Sequence, residues 1–170
     1  MTYEALEELV FGGDSGRKAQ RGEITAEEQL AYVCQQAKWP LTHWRDLEAE
    51  FFAGDSLDIG LVNYLRGLHK YYKMGIISNA LSNVRSAIAD KWHMTDAFDA
   101  IIISAEAGVM KPDARIFHIA LQSLGVQPAE AVFVDDFAHN VAGARAVGMQ
   151  AIQFRSPEQT RLELEAILHQ

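Results

Sequence analysis

Three short stretches of the 170-residue chain gather side chains fit for chemistry. Ser78 and Asn79 close one apolar run. Lys111 stands just before Pro112 and Asp113. Asp135 and Asp136 close another apolar run. A hydroxyl, an ammonium and a carboxylate pair suit a phosphoryl group beside a divalent metal. Carboxylates hold Mg²⁺, a lysine offsets phosphate charge as a point cation, and a serine hydroxyl donates to phosphate oxygens. Taken singly, each has a plainer reading. Ser-Asn after a strand is commonly a turn or a cap, and Lys-Pro commonly opens a helix. One aspartate of the pair is available as an N-cap. Adjacent carboxylates have the stronger claim, because they repel unless a cation is near.

The elements that position these residues follow from the hydrophobic pattern. Short apolar runs at 74–78, 100–104, 131–135 and 150–154 read as strands. They alternate with helical stretches at 82–92, 114–124 and 140–147 and with a last helix starting at Pro157 behind the N-cap Ser156. Apolar strands separated by crossover helices predict a parallel α/β sheet covered on both faces, a three-layer Rossmann-like arrangement. In such sheets ligands bind beyond the carboxyl ends of the strands, which is where Ser78, Asn79, Asp135 and Asp136 fall. Before Tyr72 the pattern is helical instead. Thr25 and Glu28 form a capping box, and helices are expected from there to Pro40, from Leu41 to Phe52 and from about Ser56. The stretch Gly12 to Lys18 is expected to be a flexible loop, because it fails the spacing of a phosphate-binding loop. Trp39 and Trp44 are expected to pack between helices.

Composition narrows the classes. The chain is 49% hydrophobic and 22% charged, which is ordinary for a globular domain. Its 15 basic and 23 acidic residues give a net charge of -8, which counts against nucleic acid as partner. No apolar run approaches the ~20 residues of a membrane span, and the acidic opening without Lys or Arg does not read as a signal peptide. The lone Cys34 excludes an internal disulfide and suits a reducing compartment. The expected location is cytoplasmic, with no membrane partner.

Residues 74–155 resemble the haloacid dehalogenase-like (HAD) hydrolases, most closely the phosphatase branch with a small helical cap. The resemblance is carried by Gly75 to Asn79 (GIISN), by Gly108 to Asp113 (GVMKPD) with Ile116 and Phe117, and by Val132 to Asp136 (VFVDD) with Asn140, Gly143 and Gly148. It implies Ser78, Asn79, Lys111 and Asn140 as phosphate-binding residues and Lys111, Asp135 and Asp136 as catalytic residues. It also implies Mg²⁺ as cofactor, held by Asp136 directly with Asp135 in support. Residues 1–66 are then the mainly helical cap region, and 67–170 the α/β core.

The resemblance stops at the family's first strand, whose Asp-x-Asp supplies the nucleophile and the general acid/base. No apolar strand of this chain ends so. Asp14, Asp55 and Asp58 are the nearest aspartates, and none has the required context. That strand is expected between the strands ending at Ser78 and Asp135. Its absence leaves them either paired directly or each with an open edge, with Leu6 to Phe11 the stretch available to fill the gap. The implied function is a Mg²⁺-dependent phosphatase acting on a small phosphorylated metabolite, inactive as this chain. The rivals are a non-catalytic, truncated or decayed fold of the same family, and haloacid dehalogenation. The latter needs no metal, so the Asp135–Asp136 pair counts against it. A receiver-type signalling domain is set aside, because its acidic pair precedes the Ser and Lys. Strand-mediated self-association is the further partner expected.

Overall fold

The computed structural model describes residues 2–51 and 56–169. Helices α1 (Tyr3–Phe11), α2 (Gly13–Gln20), α3 (Ala26–Ala37), α4 (Trp44–Phe51) and α5 (Ile59–Leu68) come first. The capping box forms as the sequence requires: the Glu28 N–H donates to Thr25 Oγ1 at 3.1 Å, and the Thr25 N–H donates to Glu28 Oε2 at 2.7 Å. Lys38 ends α3 in the left-handed region at φ 58°, two residues before Pro40. Leu41 to His43 form a separate 3-10 turn ahead of α4 rather than the start of the helix expected from Leu41, and Leu41 is 62% exposed. The expected end of that helix at Phe52 lies outside the described residues. Helix α5 begins at Ile59 rather than Ser56, because Asp58 takes the N-cap and accepts the Leu61 N–H at 2.9 Å.

The expected loop at Gly12 to Lys18 is in fact mostly α2. Gly16 in it serves a close approach of α2 to the end of α1. A Cβ on Gly16 would lie 2.5 Å from the Phe11 carbonyl carbon. Two buried glutamines then satisfy the terminal carbonyls of α1. Gln20 Nε2 donates to the Phe11 carbonyl at 2.7 Å. Gln29 Nε2 donates to those of Leu9 and Val10 at 2.9 and 3.0 Å. Val10, Ala19, Leu30, Val33, Cys34 and Leu47 make the helical core, with Trp39 and Trp44 packed against it. Burial pushes the Cys34 thiol above its usual pKa.

Four strands follow: β1 (Gly75–Ser78), β2 (Ala100–Ile103), β3 (Val132–Asp135) and β4 (Gln150–Gln153). Between β1 and β2 the expected helix is a short turn, α6 (Val84–Ser86), widening into a π turn at Ala87–Lys91. Then come α7 (Ser104–Ala107), α8 (Ala114–Leu124), α9 (Ala138–Ala146) and α10 (Pro157–Leu168). Strand β1 pairs in parallel with β2, and β3 in parallel with β4. Helix α8 packs on β1 and β2, and α9 on β3 and β4. Val109, Ile116, Phe117, Leu121, Phe133 and Met149 form the core beneath, and the Phe117 and Phe133 rings meet edge to face at 5.2 Å.

The two strand pairs are not joined. Among the described residues no backbone hydrogen bond links β1 to β3, so each has one open edge. Between them lies a cavity of about 640 Å³, walled by Ile76 and Ile77 of β1, Val132 and Val134 of β3, Leu121 of α8 and Leu164 of α10. Ile76 and Ile77 remain half-exposed, although so apolar a run is the kind a sheet buries on both faces. Of the two arrangements the sequence leaves open, the separated one is observed. Leu6 to Phe11 do not fill the gap: they belong to α1, and Val10 is 2% exposed in the helical core. Among the described residues no helix is long and apolar enough to cross a membrane.

Candidate active site

Parallel pairing fixes which residues meet at one edge. Ser78 ends β1 opposite Ile103, and Asp135 ends β3 opposite Gln153. Both therefore stand at the carboxyl ends of their strands. Beyond Ser78 the chain buries Ala80 beside Ile88 and Ile103 and then Leu81 in the helical core, at 6% and 5% exposure. It is pinned to the end of β2 by Ser104, whose Oγ accepts the Ala80 N–H at 3.0 Å. Arg85 adds a bidentate pair with Glu106 at 2.8 and 2.6 Å, which lowers the Glu106 pKa. On the helical side, Gly22 at φ +69° passes so near α7 that a Cβ would come within 2.0 Å of the Ala105 carbonyl oxygen. The site thus lies where the helical part meets the strand ends.

Lys111 and Asp135 form its centre. Lys111 Nζ donates to Asp135 Oδ2 at 2.6 Å, with the two side chains 10% and 6% exposed. The ammonium also lies 5.5 Å from the centroid of the Phe133 ring. Asp135 Oδ1 accepts the Phe137 N–H and Asn140 Nδ2, both at 2.9 Å. The carboxylate is therefore held by three donors. Asn79 does not point its amide at open space. Its Oδ1 accepts the Lys111 N–H at 2.7 Å and its Nδ2 donates to the Lys111 carbonyl at 2.9 Å. This two-way clamp ties the loop after β1 to the segment carrying the lysine. Gly143 lets α9 close on that segment: a Cβ there would be 2.8 Å from both Pro112 Cβ and the Pro112 carbonyl oxygen.

The sequence-derived set thus divides. The structure joins Asn79, Lys111, Asp135 and Asn140 in one hydrogen-bonded group. Asn79 and Asn140 use their amides to position Lys111 and Asp135, and Asn140 Oδ1 is buried with no partner. Ser78 is half-buried at the strand end, and Asp136 is exposed. His139 and Phe137 are exposed side by side, their rings 5.5 Å apart. Asp14 is an exposed partner of Lys18 at 2.7 Å within α2, Asp58 is the cap of α5, and Asp55 lies outside the described residues. Sequence reasoning missed Ser104, which is fully buried. Its only signal was a hydroxyl where an apolar strand ends.

Magnesium needs several hard oxygen ligands. With Asp135 engaged by three donors, Asp136 is the carboxylate left over in this pair. Among the described residues no cluster of three His, Cys, Asp or Glu forms a metal site. The residues present do not complete a magnesium site by themselves. One ammonium against two carboxylates also leaves the site with a net charge near −1, which repels a phosphate dianion unless a cation is added.

The chain is similar to several known proteins. The chain is 28% identical to a D-ribitol-5-phosphate phosphatase of Bacteroides thetaiotaomicron, over 98% of this chain and 78% of that protein. It is 28% identical to acyl-CoA dehydrogenase family member 10 of Mus musculus, over 94% of this chain but only 16% of the mouse protein. A HAD-family enzyme of Bacteroides thetaiotaomicron, crystallised with magnesium and inorganic phosphate, superposes with a TM-score of 0.73 at 17% identity, covering 90% of this chain and 84% of that one. The model of the haloacid dehalogenase-like hydrolase family matches residues 2–148. With most of its length matched, the chain belongs to the haloacid dehalogenase-like hydrolases.

Proposed function

We propose that this chain carries the phosphate-holding half of a Mg²⁺-dependent phosphatase site for a small phosphate ester, and that as this chain it does not turn over. The observation that carries the reading is the buried Lys111 ammonium, fixed 2.6 Å from Asp135 at the end of the strands where Ser78 also stands. A lysine held this way opposes the charge of a phosphoryl group without having to be reoriented when the group arrives. Ser78 is the hydroxyl donor, Asn79 and Asn140 keep Lys111 and Asp135 in register, and Asp136 is this chain's contribution toward a divalent cation. Residues 1–66 serve as the cap and 67–170 as the core. Among the described residues no aspartate occupies the space between Ser78 and Asp135, so the covalent step has no nucleophile here. That makes phosphate recognition, rather than hydrolysis, the activity to look for. The phosphatase relative and the phosphate-bound neighbour support this over dehalogenation, since a haloacid carries no phosphoryl group for Lys111 and Ser78 to hold.

The test is an NMR titration of ¹⁵N-labelled chain with inorganic phosphate, with and without millimolar MgCl₂. Shifts at Ser78, Asn79 and Lys111 that strengthen with Mg²⁺ are expected. Shifts confined to other residues, or none at millimolar phosphate with Mg²⁺, would overturn the reading.

A further inference from the structure

Three consecutive residues after β1 are each held by a different part of the molecule. Asn79 is bonded to both main-chain groups of Lys111, at 2.7 and 2.9 Å. Ala80 is held at one point, the buried Ser104 hydroxyl, which accepts its N–H at 3.0 Å and donates to its carbonyl at 3.3 Å. Leu81 packs in the helical core with Val10, Leu30, Val33 and Leu47. Every other residue of that core, buried or half-buried, comes from α1 to α4 and the turns between them, so among the described residues Leu81 alone enters it from the α/β part. We propose that Leu81 is a positioning residue for the phosphate site: seated in the helical core, it sets how this stretch turns about the Ser104 hydroxyl and so keeps Asn79 clamped on Lys111.

The stretch has no slack. From the first to the third Cα it spans at most about 7 Å, so a shift of Leu81 has no spare chain in which to be absorbed. One hydroxyl fixes where Ala80 lies but not how the chain turns there. The residues on either side fix that. Beyond Leu81 the chain is tied back to β2 and its own turn: the Leu81 carbonyl accepts the Val84 N–H at 3.3 Å, and Arg85 donates to the Ile101 carbonyl at 2.7 Å. Those bonds hold it to the strands. Leu81 is what holds it to the helices, and through Asn79 the placement of the helices reaches the segment carrying Lys111. The clamp fixes the main chain from which the ammonium reaches Asp135, and a site of aligned groups is sensitive to small misplacements. The role deepens, and rests on, the reading of Lys111 as a phosphate-holding residue.

The test compares Leu81→Ala with Leu30→Ala, which removes the same atoms from the same core without touching the stretch, and with Leu81→Met, which keeps the volume. The whole ¹⁵N-labelled chain is used. The readout is amide hydrogen exchange at Lys111 divided by that at Leu121 in α8, because a global loss of stability speeds both alike and cancels. The ratio should rise about fivefold in Leu81→Ala, the weight of one net hydrogen bond. It should stay unchanged in Leu30→Ala and return in Leu81→Met. Leu81→Val, a smaller cut, gives a graded rise and takes the place of Leu81→Ala if that variant does not fold. In millimolar MgCl₂, inorganic phosphate should bind Leu81→Ala at least about twofold more weakly than Leu30→Ala, since the site is competent only while the clamp is closed. Equal exchange ratios in the two alanine variants would overturn the proposal, by reducing Leu81 to core filling, and so would equal phosphate midpoints. If the unaltered chain binds no phosphate, the phosphate reading of the site fails, while the exchange ratio still decides the role of Leu81.

Discussion

Replacing Lys111 with methionine isolates the central ion pair, because methionine keeps much of the stem and removes the charge. At 2.6 Å between Nζ and Oδ2, the gross attraction is about 6 kcal/mol at an effective dielectric of about 20. Desolvation of the ammonium offsets part of this. Breaking a buried pair from one side still costs about 3–5 kcal/mol, since the remaining charge stays buried. Asp135 keeps two donors, the Phe137 N–H and Asn140 Nδ2, so the lower end applies. We expect Lys111→Met to cost about 3 kcal/mol, a fall in Tm of about 6–12 °C for a domain of this size. Urea melts of Lys111→Met, Asp135→Asn and the double variant would measure it. The double variant should be more stable than the sum of the singles implies, by about 2 kcal/mol. Additive losses, or a Lys111→Met cost below about 1 kcal/mol, would show that water entering the cavity already solvates Asp135 and that the pair is not a buried one.

Other expectations follow from particular contacts. Gly143→Ala should destabilise by about 1–3 kcal/mol, because its Cβ would meet Pro112 at 2.8 Å and Phe117 Cε2 at 3.1 Å. Gly67→Ala, where nothing lies within 4 Å in α5, should instead stabilise by up to about 1 kcal/mol. Thermal melts of the two decide between crowding and a general intolerance of alanine. Asn79→Ala removes both bonds of the clamp on Lys111, so amide exchange at Lys111 should accelerate markedly while exchange in α3 stays unchanged. The Asp113 carboxyl, hydrogen-bonded by Arg115, has its pKa lowered to about 2 from 3.8. Because the folded value is depressed, its contribution to the α8 cap is present above about pH 4 and is lost as pH falls toward 2. A carbon-detected titration of Asp113 should show its midpoint near 2, and a midpoint near 4 would remove the interaction with Arg115.

Much of the framework is legible in the residues. The four strands begin and end within a residue of the apolar runs, and in β1 to β3 each is a short stretch rich in β-branched or aromatic residues. Thr25, Ser156 and Gly125 mark helix ends through their own caps. At α10 the signal is inexact in an instructive way: Ser156 accepts the Gln159 N–H, but Gln159 reaches back to the Arg155 N–H rather than to that of Ser156. What was not legible depends on partners far along the chain. The Asn79 clamp joins residues 32 positions apart, and α2 forms because Gln20 and Gln29 reach the end of α1. A glycine-rich stretch looks the same locally whether it bends freely or admits another backbone. The aspartates at 135 and 136 look alike in sequence, yet the fold buries one against Lys111 and leaves the other in solvent. The absence of the central strand was legible, whereas the separation of the two strand pairs was not, since apolar strands also pair directly.

The central claim is that this chain holds a phosphate-recognising site whose nucleophile belongs in the cavity between β1 and β3. The most direct test compares hydrolysis of an aryl phosphate, with Mg²⁺, by the chain as it stands and by the chain extended at its amino end with an apolar strand closing in Asp-x-Asp. No turnover above buffer is expected from the first, and Lys111-dependent turnover from the second. Turnover by the unextended chain that Asp14→Asn or Asp58→Asn abolishes would contradict it, by placing the nucleophile within the helices instead.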